Sequence, residues 1–304
     1  MSRSTSSLGI DEAGYGPTLG PLVVGYVRVD GPPGALGRAF EAARRAVPVL
    51  PPLDDSKRLH AGGRLDRIET IALAAVESAI GRAPTLFDLI GSVNEWDSHP
   101  WYSPQPSIPL AAQSSAISNA ASALTAALQA EGASIGSIGV SLVLEGPLNC
   151  AFDRLANKGT AHLEIVESTV LRAWPAGTTG RIWCDRLGGR KFYADALTRL
   201  FPFRGLDTLE EDEYTSRYII DDGVIETGFL VNGESRAPEI ALASCLAKTV
   251  REICMHSFNS YFSRLAPTLR ETAGYPEDAA RWLADLAGHV PNFETWRSRL
   301  VRTR

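Results

Sequence analysis

The sequence predicts a mixed α/β domain. Short apolar runs bounded by Gly and Pro come early in the chain, and segments with apolar residues at helical spacing are interleaved with the later strands. No internal repeat, heptad run or low-complexity block interrupts the 304 residues, which are 44% hydrophobic and 21% charged. That composition is an ordinary globular one, with enough apolar surface for a sizeable core.

The elements follow in order. Residues 8–14 (LGIDEAG) and 20–29 (GPLVVGYVRV) read as two short strands around a Gly/Pro turn. ALGRAFEAARRAV reads as a helix, and VPVLPPLDDSKRL as a Pro-rich connector ending in a charged cluster. RLDRIETIALAAVESAIGRA has apolar residues at helical spacing and stops at Gly81. Residues 84–110 are the least regular; Pro100, Pro104, Pro106 and Pro109 beside Trp96, Trp101 and Tyr102 suggest a long aromatic loop with the character of a flap. Residues 111–131 form an Ala-rich helical pattern. SIGVSLVLEGPLNCAFDRL reads as a strand and then a turn, and HLEIVESTVLRAW as an amphipathic helix. GRIWCDRLGGRKFYADALTRLFP gives a strand, a charged turn and a helix. Residues 205–231 alternate like hairpin strands joined by an Asp-Asp-Gly turn. APEIALASCLAKTVREICMHSFNSYFSRL is the longest helical pattern, and GYPEDAARWLADLAG is another helix with Gly288 as its stop.

Composition excludes several functional classes. No apolar stretch approaches the roughly 20 residues that span a bilayer, and the opening MSRSTSSLG lacks a signal-like apolar core and reads as a short tail. The net charge of −5 argues against a surface that binds polyanions all over. Arg297, Arg299, Arg302 and Arg304 crowd the terminus and read as a solvated end. Cys150, Cys184, Cys245 and Cys254 form no C-x-x-C pair and read as small buried or half-buried thiols of a reducing compartment, so a cytoplasmic location is expected. The five histidines show no H-x-x-x-H spacing, which disfavours a histidine-ligated metal. Ser56 beside Lys57 lacks the oxyanion loop of a Ser–Lys hydrolase. GYGPTLG lacks the G-K-[ST] ending of a P-loop.

Carboxylates recur in one local setting, at the end of an apolar strand or where a turn enters a helix. Asp11 and Glu12 follow LGI, Asp185 follows RIWC, and Glu234 in VNGES precedes the IALASCLAK helix. A single acid in such a place is usually a turn former or cap. Several converging from different elements are what an oxygen-ligated Mg²⁺ needs. Two such ions can hold the attacking and leaving oxygens of an in-line phosphoryl displacement. Glu145 in LVLEGPLN also ends a strand before a glycine and competes with Asp185 for the third position.

GIDEAGYGPTLGPLVV resembles the opening of type 2 ribonucleases H, the bacterial HII and HIII enzymes, where the pattern is G-I-D-E-A-G-R-G-P-x-x-G-P-V-V. DDSKRL is similar to that family's D-S-K-x-L, RIWCDRLGG to its V-L-V-D-G strand end, and GESRAPEIALASCLAKTVRE to G-D-S-x-x-x-x-I-A-A-A-S-I-x-A-K-V-x-R-D. AGYPEDAARWL resembles the terminal G-Y-G-T-x-x-H segment. The motifs come in the family's order, and a helix just before the D-G strand selects Asp185 over Glu145. The resemblance implies a ribonuclease-H-like fold over residues 1–304, with insertions at about 84–135 and 205–230 and a helical C-terminal region from about 264. It implies Asp11, Glu12, Asp185 and Glu234 as ligands of two Mg²⁺ or Mn²⁺ ions. The implied partner is nucleic acid, an RNA–DNA hybrid or ribonucleotide-containing DNA, cut to leave 5′-phosphate and 3′-hydroxyl ends. No membrane or protein partner is implied.

Substrate contacts implied by the same resemblance fall on Gly14, Tyr15, Gly16, Lys57, Lys248 and Tyr275. The chain departs from the family at Tyr15, a phenol in place of Arg or Lys, and around Tyr275, where Glu271-Thr272-Ala273 and Pro276-Glu277 replace the family's basic residues and Thr. Glu252 stands where the family has Asp and reads as a charge on the helix surface or behind the ligands. These departures keep a second class of function open, a nucleic-acid-binding protein that retained the fold without its activity or with another substrate.

Overall fold

The structure is a computed structural model that describes residues 5–91, 93, 96–221 and 223–303. Residues 1–4 of the expected tail, three positions of the aromatic segment, Asp222 of the expected Asp-Asp-Gly turn and Arg304 lie outside the described residues.

Seven strands form one sheet: β1 (Ser6–Ala13), β2 (Leu22–Asp30), β3 (Ser134–Val143), β4 (Gly180–Asp185), β5 (Leu206–Glu211), β6 (Thr215–Ile220) and β7 (Ile225–Leu230). Their order is β3-β2-β1-β4-β7-β6-β5. β2 pairs antiparallel with β1 and β3, β4 runs parallel to β1 and β7, and β6 runs antiparallel to β5 and β7. The mixed α/β class expected from the sequence is thus the one found. β7, expected within an outlying hairpin, lies inside the sheet; β5 and β6 extend it to the edge.

The helices are α1 (Ala35–Ala46), α2 (Ser56–Leu59), α3 (Leu65–Ile80), α4 (Leu86–Ile90), α5 (Ser114–Ala130), α6 (Glu145–Leu155), α7 (Lys158–Ala173), α8 (Ala194–Leu200), α9 (Pro238–Leu265), α10 (Pro276–Ala287) and α11 (Phe293–Leu300). One core, on the α9 side of the sheet, joins α1, α3 and α5 to α9 and to Val23, Val27 and Val29 of β2. A second core on the opposite face joins α7 and α8 to Leu8 and Ile10 of β1 and to Ile182 and Cys184 of β4. Because side chains alternate along a strand, Gly9 and Gly25 face α9. A Cβ on either would stand 2.1 Å from an α9 backbone atom, of Glu239 and Ala243 respectively. Their bare backbones let the long helix lie directly on β1 and β2.

Four expectations change. The described part of the 84–110 segment is anchored rather than flap-like: Trp101 and Tyr102 are 0% exposed, and the Trp101 ring lies 6.4 and 6.2 Å from those of Phe258 and Phe262. Large aromatic rings gain more from packing than any open loop offers. LEGPLNCAFDRL is helical from Glu145, with Leu148 and Phe152 one turn apart on its buried face and Pro147 tolerated in the first turn. Cys150, two residues from Leu148, falls on the outer face and is exposed, whereas the other three cysteines are buried. Arg302 is not solvated but 4% exposed. Among the described residues no helix is long and apolar enough to cross a membrane.

Candidate active site

β1, β4 and β7 run parallel, so their C-terminal ends share one edge of the sheet, the usual place for ligands in such sheets. Asp11 lies one residue past the Ile10–Cys184 pairing of β1 with β4, and Asp185 is the last residue of β4, opposite Leu230 of β7. Glu234 follows in a 3₁₀ turn, Gly233–Ser235, between β7 and α9. The strand topology therefore delivers three of the expected acids to one place. Alternation sends Asp11 toward α9 and Glu12 toward α7.

Local contacts hold each acid. The Glu12 N–H donates to Asp11 Oδ1 at 2.7 Å, and the Gly233 N–H donates to Asp185 Oδ1 at 2.7 Å. A Cβ on Gly233 would come within 3.1 Å of that same oxygen. Glu234 Oε1 accepts from the Ser56 N–H at 3.3 Å, from Ser56 Oγ at 3.1 Å and from Ser244 Oγ of α9. Ser244 Oγ also lies 2.9 Å from Ser56 Oγ, so the two hydroxyls and Glu234 form one cluster against α9, and Ser244 partly offsets the rise in the Asp11 pKa.

The acids repel one another. Burial, then Glu12, Asp185 and Glu234, push the Asp11 carboxyl well above its usual range. Burial and the charge of Asp185 raise Glu12 to about 8. Burial raises Asp185 and Glu234 as well, against the Gly233 N–H and the Ser244 hydroxyl that favour their ionised forms. Lys57 is the cation that faces this group: burial opposes its charge, but Glu234, Asp55, Asp11 and Asp185 together raise its pKa. Lys248, expected to share that role, is instead paired with Glu252 at 2.8 Å along α9. Asp55 is an acid that sequence reasoning passed over; it caps α2 by accepting from the Lys57 N–H at 2.8 Å and adds its charge to Glu234.

Glu145 lies elsewhere. It is 0% exposed, accepts from the Tyr102 hydroxyl at 2.7 Å and feels the Arg302 charge. Asp185, not Glu145, is the third acid beside Asp11.

The Gly14–Gly20 loop is braced from behind. Arg302 donates to the carbonyls of Gly14, Pro17 and Gly20, and its own N–H donates to Thr18 at 3.0 Å. The carbonyl of Gly274 accepts from the Thr18 and Leu19 N–H groups at 2.8 and 3.1 Å. Gly14 has φ +89°, and a Cβ there would lie 2.6 Å from the Pro21 carbonyl oxygen, so the position needs glycine. Gly16 has open space on its Cβ side. Tyr15 stacks on His162 of α7, centroids 4.5 Å apart, with Lys158 Nζ 4.6 Å above its ring. Tyr275 is 49% exposed, with the buried Arg251 guanidinium 5.7 Å from its ring, so it is a surface aromatic beside the loop rather than a core one.

The donor set is all oxygen, suited to a hard divalent cation, and Glu12 Oε2 is buried without a hydrogen-bond partner. These residues fit Mg²⁺ or Mn²⁺ in chemistry. Among the described residues no three His, Cys, Asp or Glu groups are drawn together as a ready metal cage. Ser244 and His162 gave little sequence signal, since a serine and a histidine on helices have many ordinary explanations.

No family model matches the chain, and no curated protein matches it. It is similar to the solved structure of ribonuclease HII from Archaeoglobus fulgidus in complex with PCNA, with a TM-score of 0.48 and 17% identity over 98% of this chain and 94% of that one. Similarity to the ribonuclease H2 of Pyrococcus horikoshii has a TM-score of 0.45 and 14% identity, covering 98% and 92%. Similarity to the Bst ribonuclease HIII in complex with Mn²⁺ has a TM-score of 0.41 and 16% identity, covering 99% and 67%.

Proposed function

We propose that the protein is a divalent-metal-dependent endonuclease that hydrolyses a phosphodiester at a ribonucleotide, in the RNA strand of a hybrid or embedded in DNA. The observation that carries this reading is the placement of Asp11, Asp185 and Glu234 at the shared C-terminal edge of β1, β4 and β7, with Glu12 next to Asp11; burial raises all four carboxyl pKa values. Mutually repelling carboxylates, here one buried and three half-buried, are costly unless a cation neutralises them. The sequence motifs that resemble type 2 ribonucleases H support the same reading.

In it, Asp11, Glu12, Asp185 and Glu234 hold Mg²⁺ or Mn²⁺, which supplies an activated water and stabilises charge on the reacting phosphate. Lys57 contributes a positive charge to the bound phosphate. The open space at Gly16 admits the nucleic-acid backbone, with the exposed Tyr275 ring as a stacking surface and Tyr15 engaged by His162 and Lys158. Ser56 and Ser244 hold Glu234 in place.

A second reading, a protein that binds nucleic acid without cutting it, is favoured by one observation: Tyr15, engaged by His162 and Lys158, stands where the resembled family has Arg or Lys. One experiment separates the two. Purified protein is incubated with Mg²⁺ or Mn²⁺ and a duplex carrying one ribonucleotide or a full RNA strand, beside Asp11→Asn. Metal-dependent cleavage by the native protein alone is expected; binding without cleavage selects the second reading.

A further inference from the structure

His162 of α7 is 1% exposed, and its Nε2 stands 3.8 Å from Glu12 Oε2. That gap is too long for a hydrogen bond. Both atoms are buried, and neither has a hydrogen-bond partner among the described residues. Leaving a buried polar atom unmatched costs about 1–3 kcal/mol, so a facing pair of them marks a place where something else binds. Two donors on one first-row ion, each about 2.0–2.2 Å from it, stand about 3.0 Å apart when adjacent and about 4.3 Å apart when opposite. The observed gap falls between the two, so an ion held by both atoms requires them to shift by less than about 1 Å. Stacking on Tyr15, at an interplanar angle of 25°, fixes the imidazole plane. An imidazole nitrogen with no hydrogen-bond partner is available as a metal ligand.

We propose that His162 Nε2 and Glu12 Oε2 ligate one divalent ion together, giving one edge of the acid group a mixed nitrogen–oxygen shell that favours first-row transition ions over Mg²⁺. The proposal rests on the metal-dependent reading above and narrows its cation. Mg²⁺ seeks oxygen and holds its waters, whereas imidazole suits transition ions. Tyr15, otherwise an unexplained departure, acquires a role as the clamp that orients the ligand. The competing occupant is a proton held between Glu12 and His162, which would leave any ion with oxygen ligands only.

Electron spin-echo spectroscopy of Mn²⁺ bound to the full chain tests this. A ¹⁴N modulation from directly bound imidazole is expected, and it disappears in His162→Gln. Mn²⁺ affinity falls at least about tenfold in that variant, while Mg²⁺ affinity changes far less. Mn²⁺ bound with no nitrogen modulation, or with one that persists in His162→Gln, overturns the proposal and leaves the metal-dependent reading standing. Failure of the native protein to bind Mn²⁺ at all sinks that reading itself. The native spectrum needs no variant, so the test decides even if His162→Gln does not fold.

Discussion

Two regions of this molecule bury charge, and they do so in opposite ways. Behind the glycine-rich loop, Arg302 is spent on the carbonyls of Gly14, Pro17 and Gly20, with Glu145 nearby as its counter-charge. In front of the loop, Asp11, Glu12, Asp185 and Glu234 crowd together with Lys57 as the facing cation, and each carboxyl pKa is raised. The first region sets a cation among carbonyl acceptors with an opposite charge nearby and works as a brace, although burial still raises Glu145 and lowers Arg302 to about 10. The second is left mismatched, which a fold tolerates where a ligand completes it. Buried charge alone therefore does not mark a functional site; the sign imbalance does.

The largest effect expected from this contrast is on catalysis. Asp11→Asn and Asp185→Asn should each lower metal-dependent cleavage by at least about 10³-fold, about 4 kcal/mol of transition-state stabilisation, while leaving metal-free stability unchanged or higher. A variant that melts earlier without metal would mean the acids are structural after all. Arg302→Met should behave oppositely, costing about 3–5 kcal/mol of stability by stripping three loop carbonyls of their donor. Thermal melting reads it as a drop of about 6–12 °C, and a drop under about 2 °C would remove the brace from the account.

A smaller effect concerns pH. Each acid in the group has a folded-state pKa above its unfolded value, so the folded protein binds more protons, and the stabilisation is full at low pH and lost as pH rises. For Glu12 the window runs from its ordinary value of 4.5 to about 8. Metal-free protein should thus melt several degrees lower at pH 9 than at pH 5, Mg²⁺ or Mn²⁺ should reverse much of the loss, and Asp11→Asn should flatten the slope. A metal-free protein whose melting temperature rises over that range contradicts the assignment. The smallest effects separate two glycines. Gly14→Ala should cost about 1–2 kcal/mol through its positive φ and the clash with Pro21. Gly16→Ala should leave stability within about 0.5 kcal/mol but raise KM for duplex substrate. An unchanged KM would take Gly16 off the substrate face.

Much of the fold was legible because hydrophobic periodicity reports the helices and strands directly. Asp11 and Asp185 were legible for the same reason, each ending an apolar strand run. What the sequence hid depends on tertiary partners. The 84–110 segment has loop composition, and only its contact with Phe258 and Phe262 turns it into core. Arg302 sits in a run of terminal arginines that reads as solvated until the loop carbonyls beneath it are seen. Lys57 and Lys248 looked equivalent along the chain, and the i,i+4 pairing with Glu252 separates them. His162 is one histidine on an amphipathic helix, and nothing local says that it faces Glu12.

The central claim is that the acid group is held for divalent cations. Calorimetric titration of Mn²⁺ or Mg²⁺ into metal-free protein at pH 7, repeated in buffers of different ionisation enthalpy, tests it most directly. Because Asp11 and Glu12 are both raised, binding should release protons, and Asp11→Asn should abolish or sharply weaken it. Absence of binding, or binding without proton release that survives Asp11→Asn, would contradict the account.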